Sequence, residues 1–231
     1  MKAVILAGGY GKRLRPLTMD KPKPLVEIAG KPILLWQIEW LKKYGIDEIV
    51  LLVGYLRDKI IEYVGSGRKF NVKVTYVVED EPLGTGGALK NAELVLRNEE
   101  KFLVLNGDII TNLDPLRLLA NVNENIVVSI AAVPLRSPYG ILSIDEKGYI
   151  IRFEEKPIIE NYWINAGVYA MTPKIFEYLP DKGDIERTTF PKLASEKRLI
   201  ATKYTGVLWR SIDTYKDVEE AGKELSMLKG A

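Results

Sequence analysis

A glycine-rich segment with cationic side chains lies near the start of the chain, and its composition suits the binding of an anion. Residues 8–15, GGYGKRLR, directly follow the apolar run KAVILA at residues 2–7. Glycines at the end of a buried strand let backbone amides approach a phosphate or a base, and Lys12 and Arg13 can neutralise its charge. Lys23 follows in the run KPKP, whose prolines restrict the backbone. A tight turn with solvated charges is the alternative, but three glycines and three cations in eight positions favour phosphate binding.

Two familiar nucleotide-binding motifs do not fit this segment. A dinucleotide fingerprint counted from Gly9 and Gly11 would need a third glycine where Leu14 stands. A Walker A loop needs Ser or Thr after its Gly-Lys pair, and Arg13 occupies that position. An NAD-dependent oxidoreductase is therefore disfavoured.

Two later segments also follow strand patterns and carry residues suited to binding a ligand. EDEPLGTGGA at residues 79–88 follows a strand pattern and opens a helix pattern, which suits close backbone contact with a flat ligand; an ordinary loop is the alternative. Asn106, Gly107 and Asp108 end the apolar run KFLVL. A carboxylate at the carboxyl end of a central parallel strand can hold Mg²⁺ against phosphates, although Asp in this context can also form a turn or a helix cap.

The composition limits the chemistry that the chain can perform. It contains no Cys and no His, which excludes thiolate nucleophiles, histidine bases and histidine metal ligands. Carboxylates, Lys, Arg, backbone amides and a hard cation such as Mg²⁺ remain. The net charge of +2 lacks the basic bias of a nucleic-acid binder. The absence of a membrane-span pattern and of a signal-peptide pattern predicts a cytoplasmic protein without a membrane partner.

The elements that must position these residues alternate between strands and helices. This alternation predicts an α/β fold, a single domain with a Rossmann-like doubly wound mixed sheet. The pattern changes after residue 133, where a hairpin appears, and we expect the second half, residues 134–231, to cover the sheet and complete a pocket. Strands are predicted at 2–7, 48–53, 72–78, 102–105, 126–133, 141–144, 149–154 and 163–171, and helices at 32–44, 56–64, 87–96, 116–120, 173–178 and 214–228.

The chain resembles the sugar-phosphate nucleotidyltransferases, which include mannose 1-phosphate guanylyltransferases and glucose 1-phosphate thymidylyl- and uridylyltransferases. LAGGYGKRLRPLT followed by KPKPL resembles the amino-terminal signature of that family, and later motifs match in order over nearly the whole chain. The resemblance implies the fold of nucleotide-diphospho-sugar transferases, with a nucleotide-binding half at residues 1–133 and a sugar-phosphate-binding half at residues 134–231. It also implies transfer of a nucleotidyl group from a nucleoside triphosphate to a sugar 1-phosphate, with release of pyrophosphate and with Mg²⁺ as cofactor.

The same resemblance assigns roles to individual residues. Arg13 would hold the leaving pyrophosphate, Lys23 would stabilise charge at the α-phosphate, and Asp108 would bind the metal. The nucleotide-binding residues would be Leu6, Ala7, Gly8, Gly9, Gly11, Lys12, Glu79, Gly84 and Thr85. The residues that bind the sugar phosphate would be Asn106, Gly140, Glu155, Lys156 and Asn165.

One motif departs from the family pattern. WRSIDT at residues 209–214 resembles Trp-x-Asp-Ile-Gly-Thr, but Ser211 stands in the position of the second metal-binding Asp. Asp213 lies two residues later, on the same face of an extended segment, and we expect it to supply that carboxylate.

Several alternatives remain at this stage. GTP with mannose 1-phosphate is the first choice of substrates, because the residues around Glu79 resemble the corresponding residues of the guanylyltransferases. The alternative substrate pairs are GTP with heptose 1-phosphate, and UTP or dTTP with glucose 1-phosphate. A regulatory subunit that binds nucleotide sugars without catalysis is a different class, disfavoured because Arg13, Lys23, Asp108 and Lys156 are all present. The sequence leaves the oligomeric state open, a homo-oligomer included, and shows no hexapeptide repeats after residue 214.

Overall fold

The computed structural model describes residues 1–229, which form thirteen strands and seven α-helices. The strands are β1 (Lys2–Ala7), β2 (Glu27–Ile28), β3 (Lys31–Pro32), β4 (Glu48–Val53), β5 (Lys73–Val78), β6 (Phe102–Asn106), β7 (Ile109–Thr111), β8 (Val128–Arg136), β9 (Ile141–Ile144), β10 (Ile150–Glu154), β11 (Ile158–Met171), β12 (Leu199–Lys203) and β13 (Trp209–Ser211). The helices are α1 (Ile33–Lys43), α2 (Arg57–Val64), α3 (Gly84–Asn91), α4 (Glu93–Leu96), α5 (Leu116–Leu119), α6 (Thr189–Ser195) and α7 (Tyr215–Lys229).

Seven strands form one sheet in the order β12-β8-β11-β6-β1-β4-β5. The pairs β1/β4, β1/β6, β4/β5 and β8/β12 are parallel, whereas β11 is antiparallel to both β6 and β8. The predicted doubly wound mixed sheet is therefore confirmed. The carboxyl ends of β1, β4 and β6 lie side by side, which brings together the loops that follow them.

Apolar side chains cover both faces of this sheet. Along β1, Ala3 and Ile5 pack on one face with Leu34 and Leu41 of α1, while Val4 packs on the other with residues of α3, α4 and α6. The strand is buried on both sides, which explains why its sequence is a continuous apolar run. No helix within residues 1–229 is both long enough and apolar enough to cross a membrane.

The second half of the chain contributes strands to the same sheet. The predicted boundary at residue 133 falls inside β8, and β11 and β12 extend the sheet beyond β6. The division into a nucleotide-binding half and a sugar-binding half stays a prediction. The predicted hairpin is present as the antiparallel pair β9 and β10, which lies outside the large sheet and whose side chains are almost all exposed.

The helix predicted at 87–96 is wrong in its bounds. The structure has α3 beginning at Gly84 and ending at Asn91, followed by a separate turn, α4. The early start depends on Gly86 and Gly87, whose amides donate hydrogen bonds to the carbonyl oxygen of Gly183 at 2.8 and 3.3 Å. A Cβ at either glycine would overlap backbone atoms of residues 181–183, so the glycines allow close packing that sequence periodicity does not reveal.

Candidate functional site

A cavity of about 410 Å³ opens at the carboxyl ends of β1, β4 and β6. Fourteen of the residues assigned from the sequence line it: Leu6, Ala7, Gly8, Gly9, Gly11, Lys12, Arg13, Lys23, Glu79, Gly84, Thr85, Asn106, Asp108 and Asp213. The structure thus brings together the two glycine-rich segments, the end of β6 and a residue near the carboxyl end of the chain. The cavity lies at the carboxyl edge of the sheet, where α/β folds bind ligands.

Lys23 connects two carboxylates at one side of this cavity. Its Nζ lies 2.6 Å from Oδ2 of Asp108 and 2.8 Å from Oδ1 of Asp213. Arg13 places an Nη2 atom 2.8 Å from the same oxygen of Asp213. The side chains of Lys23, Asp108 and Asp213 are only 15%, 22% and 23% exposed, so these three groups are largely shielded from water, whereas Arg13 approaches them from the exposed side.

Strand pairing brings Asp213 to Asp108. Ser211 of β13 pairs with Ile109 of β7, and the amide of Ile212 donates to the carbonyl oxygen of Asp108 at 2.9 Å. Ser211, which stands where the family pattern has an Asp, donates its hydroxyl to Oδ2 of Asp213 at 3.0 Å. Asp213 therefore occupies a place beside Asp108 from which both carboxylates can face one cation.

The electrostatic surroundings favour the charged form of Asp213. Burial acts to raise the pKa of this carboxyl group, but the hydrogen bond and charge of Lys23, the Ser211 hydroxyl and the charge of Arg13 outweigh it and lower the pKa below its ordinary value. The Asp213 carboxyl group therefore stays ionised, which is the form that binds a cation.

Glu79 occupies the opposite side of the cavity, close to the backbone of two glycines. Its Oε2 accepts a hydrogen bond from the amide of Leu83 at 3.3 Å. A Cβ built on Gly8 would lie 2.2 Å from its Oε1, and one built on Gly54 would lie 2.6 Å from the same atom. Partial burial raises the pKa of Glu79, and the Leu83 amide only partly offsets that rise.

Replacing Gly8 by alanine should destabilise the protein only modestly. The new methyl group would overlap the Glu79 carboxylate, but this group is the end of a flexible side chain and can move aside, so we expect a loss near the lower end of the about 1–3 kcal/mol that overpacking costs. Gly9 is the matched control, since a Cβ there meets nothing within 4 Å and its replacement by alanine should change stability by no more than about 0.5 kcal/mol. In denaturant unfolding, the loss for Gly8→Ala should vanish when Glu79 is also replaced by alanine. The same loss with and without Glu79 would contradict the close approach of Glu79 to Gly8.

Replacing Glu79 by glutamine should stabilise the protein at neutral pH and not in acid. Since burial raises the pKa of Glu79 in the folded state, the parent protein loses stability as the pH rises from the ordinary carboxyl pKa of 4.5 through the folded value. Glutamine does not titrate, and its amide oxygen can still accept from Leu83. Denaturant unfolding between about pH 4 and pH 7 should show the gain appearing as pH rises. A pH-independent gain for Glu79→Gln would refute the explanation.

Of the five residues predicted to bind the sugar phosphate, the structure places one at the cavity and four outside its lining. Asn106 lines the cavity, whereas Gly140, Glu155, Lys156 and Asn165 do not. Glu155 and Lys156 lie at the base of the β9–β10 hairpin, 3.6 Å apart as an exposed ion pair. Asn165 donates to the hydroxyl of Tyr169 at 2.9 Å and accepts from the amide of Gly167 at 2.9 Å, so its amide already has partners within the chain. The sugar-binding role of these four residues stays a prediction.

Sequence reasoning missed one part of the site, the segment 181–188. It packs against the second glycine-rich segment: Thr85 donates its hydroxyl to Glu186 at 2.9 Å and accepts from the amide of Ile185 at 3.0 Å. Asp184 lines the cavity, and no motif in the sequence marks it. The other lining residues that were not assigned are Tyr10, Pro24, Leu52, Pro82, Ala88 and Gly107.

Comparison with known proteins identifies the family. A family model described as "Nucleotidyl transferase" matches residues 2–226. The chain belongs to the nucleotidyl transferase family. Nucleotidyl transferases that are similar to it include the "Mannose-1-phosphate guanylyltransferase catalytic subunit beta" of Dictyostelium discoideum, which is 39% identical over 99% of this chain. The mannose-1-phosphate guanyltransferase of Saccharomyces cerevisiae is 40% identical over 94% of this chain. The chain spans 66% and 62% of the length of these two relatives.

Solved structures of the same fold cover nearly the whole chain. HddC from Yersinia pseudotuberculosis, complexed with GMP-PN, is 34% identical, with a TM-score of 0.75 over 97% of this chain and 99% of that one. A putative glucose-1-phosphate thymidylyltransferase from Bacillus anthracis is 25% identical, with a TM-score of 0.77 over 97% of this chain and 94% of its own. The resemblance stated from the sequence motifs is thus confirmed.

Proposed function

We propose that this protein transfers a guanylyl group from GTP to mannose 1-phosphate and releases pyrophosphate. The observation that carries the reaction class is the bridge formed by Lys23 between Asp108 and Asp213, with Arg13 beside it, at one side of a glycine-lined cavity. This arrangement suits a reaction between two polyanions. The choice of substrates rests on the curated relatives, which are named mannose-1-phosphate guanylyltransferases or guanyltransferases and are 39–40% identical.

The position of Glu79 supports guanine as the base. It lies across the cavity from the cations and beside the first glycine-rich segment. Guanine presents two adjacent donors, N1–H and the 2-amino group, which a carboxylate can accept together. Uracil and thymine present one donor between two acceptors and would place a carbonyl oxygen near the carboxylate.

The residues present fit a divalent cation such as Mg²⁺. Asp108 and Asp213 already face one cationic group, the ammonium of Lys23, and both are hard oxygen ligands. Residues 1–229 contain no group of three or more acidic, His or Cys side chains arranged for a metal, so phosphate oxygens and water would complete the coordination, as Mg²⁺ commonly requires. When bound by Asp108 and Asp213, Mg²⁺ would supply charge neutralisation at the phosphates.

The reaction needs no general base, which agrees with the lack of histidine. An oxygen of the sugar phosphate, already an anion, forms a bond to the α-phosphorus of GTP, and the bond from that phosphorus to the bridging oxygen breaks as pyrophosphate leaves. Lys23 would neutralise charge that develops at the α-phosphate, and Arg13 and Lys12 would hold the departing pyrophosphate. Catalysis then consists of positioning and charge stabilisation.

Pyrophosphate release tests this proposal directly. The protein is supplied with Mg²⁺, each of four nucleoside triphosphates, and a panel of hexose and heptose 1-phosphates, with a metal-chelated sample as control. Release with GTP and mannose 1-phosphate supports the proposal. Release only with UTP or dTTP would overturn the assignment of Glu79 to guanine. No release with any pair, from folded protein that binds nucleotide, would favour a regulatory subunit.

A further inference from the structure

Gln37 is a buried amide that contacts the segment carrying Asp108. It lies on α1 with 2% of its surface exposed. Its Nε2 donates to the carbonyl oxygen of Asn106 at 2.8 Å and to that of Ile109 at 2.9 Å. These are the residues on either side of the Gly107–Asp108 pair. Both hydrogens of one amide group thus fix the two ends of a four-residue turn.

Two further hydrogen bonds attach the same turn to the neighbouring strands. The amide of Gly107 donates to the carbonyl oxygen of Leu6 at 3.0 Å, at the end of β1. The amide of Ile212 donates to the carbonyl oxygen of Asp108 at 2.9 Å, just after β13. Gln37 supplies the link to α1, and it holds the backbone of the turn through its side-chain amide.

The two ends of the Gln37 amide differ in their contacts. Its Oε1 is buried and has no hydrogen-bond partner among residues 1–229. Its Nε2 donates to two backbone carbonyl groups, which an apolar side chain of similar size would leave without this donor. The nitrogen is the half of the group that makes contacts, and both contacts are to the Asp108 turn.

We propose that Gln37 is a positioning residue for Asp108, holding its carboxylate at the distance from Asp213 and Lys23 at which the site functions. Gln37 does not line the cavity and so does not contact a ligand there. The proposal rests on the proposed function, because Asp108 is assigned there to the metal and the phosphates. Residues that support a metal-binding group in this way typically change metal affinity or activity by about 10- to 100-fold when replaced.

The test compares Gln37→Met with Trp40→Phe. Trp40 lies on the same helix, is 6% exposed, and donates its indole N–H to the carbonyl oxygen of Leu113 at 2.9 Å, outside the cavity. Each variant removes a buried side-chain donor from α1. We expect thermal unfolding of both to shift to lower temperature. We expect only Gln37→Met to lower kcat by about 10-fold or more and to raise the Mg²⁺ concentration for half-maximal rate, with the KM for GTP at saturating Mg²⁺ unchanged.

Amide hydrogen exchange supplies a readout independent of activity. In Gln37→Met the amides of Gly107 and Ile212 should exchange faster than in the parent protein, while in Trp40→Phe they should keep their protection. Gln37→Leu also removes both donors without adding a charge; it serves if the methionine variant does not fold, and the same changes are expected.

The outcomes separate this proposal from the proposed function. If the parent protein releases no pyrophosphate with any substrate pair, the proposed function fails. The exchange rates of the Gly107 and Ile212 amides then remain as the test of the role of Gln37. Unchanged kcat, unchanged Mg²⁺ dependence and unchanged exchange at Gly107 and Ile212 in a folded Gln37 variant would overturn the proposal. Equal kinetic losses in Trp40→Phe would also overturn it, because the effect would then follow from stability.

Discussion

Replacing Lys23 by methionine should lower turnover by roughly 100- to 1,000-fold at saturating substrates, the usual cost of losing one preorganised charge partner of a transition state. The reason is that its ammonium group lies 2.6 and 2.8 Å from the two carboxylates of the cavity and is mostly shielded from water. Pyrophosphate release measures the effect. Lys21→Met is the control, because Lys21 lies two positions away, is 46% exposed and lies outside the cavity.

The same variant should reveal how Lys23 stabilises the metal-free protein. The pKa of Asp213 is lowered in the folded state, so its contribution to stability is present above the ordinary Asp pKa and is lost as pH falls through the folded value. Without Lys23 that contribution is reduced, because only Ser211 and Arg13 still lower the pKa of Asp213, and two carboxylates face each other. The stability deficit of Lys23→Met should therefore be largest near neutral pH and should shrink in acid. Parental turnover in this variant would overturn the catalytic role of Lys23.

Replacing Asp108 by asparagine should have a similar effect on turnover, again roughly 100- to 1,000-fold. Asparagine keeps the shape of the side chain and removes its charge, so the loss reports on charge rather than on packing. Lys23 retains Asp213 as a partner at 2.8 Å, and we expect the fold to persist. Pyrophosphate release at increasing Mg²⁺ is the measurement, and Asp58→Asn, at an exposed position on α2, is the control. Full activity of the variant at ordinary Mg²⁺ would show that Asp108 has another function.

A double-mutant cycle connects these two predictions. Because Lys23 and Asp108 act within one cluster, the double variant should lose much less than the product of the two single losses. Strictly multiplicative losses would show that the two residues act independently, in contradiction to the contact between them.

The sequence predicted best those parts of the site that are contiguous in the chain. The first glycine-rich segment follows a continuous apolar strand, so its place at the sheet edge follows from the pattern of β1 alone. Asp108 was found for the same reason, since it follows the apolar β6. The mixed sheet was also predictable, although its edge strand β12 was not recognised.

The parts that the residue pattern alone did not predict depend on contacts between distant segments. Asp213 was expected in the site only through the family resemblance, because its proximity to Lys23 follows from the pairing of β7 with β13, two strands of three residues each, too short for a periodic signal. Asp184 was missed, and it reaches the cavity because residues 181–188 pack on Gly86 and Gly87, a contact that backbone sterics decide. Gln37 is one of four polar residues of α1, and only its two hydrogen bonds distinguish it from the others.

The bridge between Lys23 and Asp213 joins residues 190 positions apart, and this has a consequence for how the protein acquires activity. The glycine-rich segment and β1 precede β13 and α7 in the chain and are therefore synthesised before them. Long-range contacts of this kind form late, because the loop that they close is entropically costly. Arg210 of β13 holds Glu220 and Glu224 of α7 at 3.3 and 2.7 Å, so the last helix helps to retain the strand that leads to Asp213. We therefore expect nucleotide affinity to precede catalytic competence during refolding, with activity appearing only when the segments that carry Lys23 and Asp213 have met.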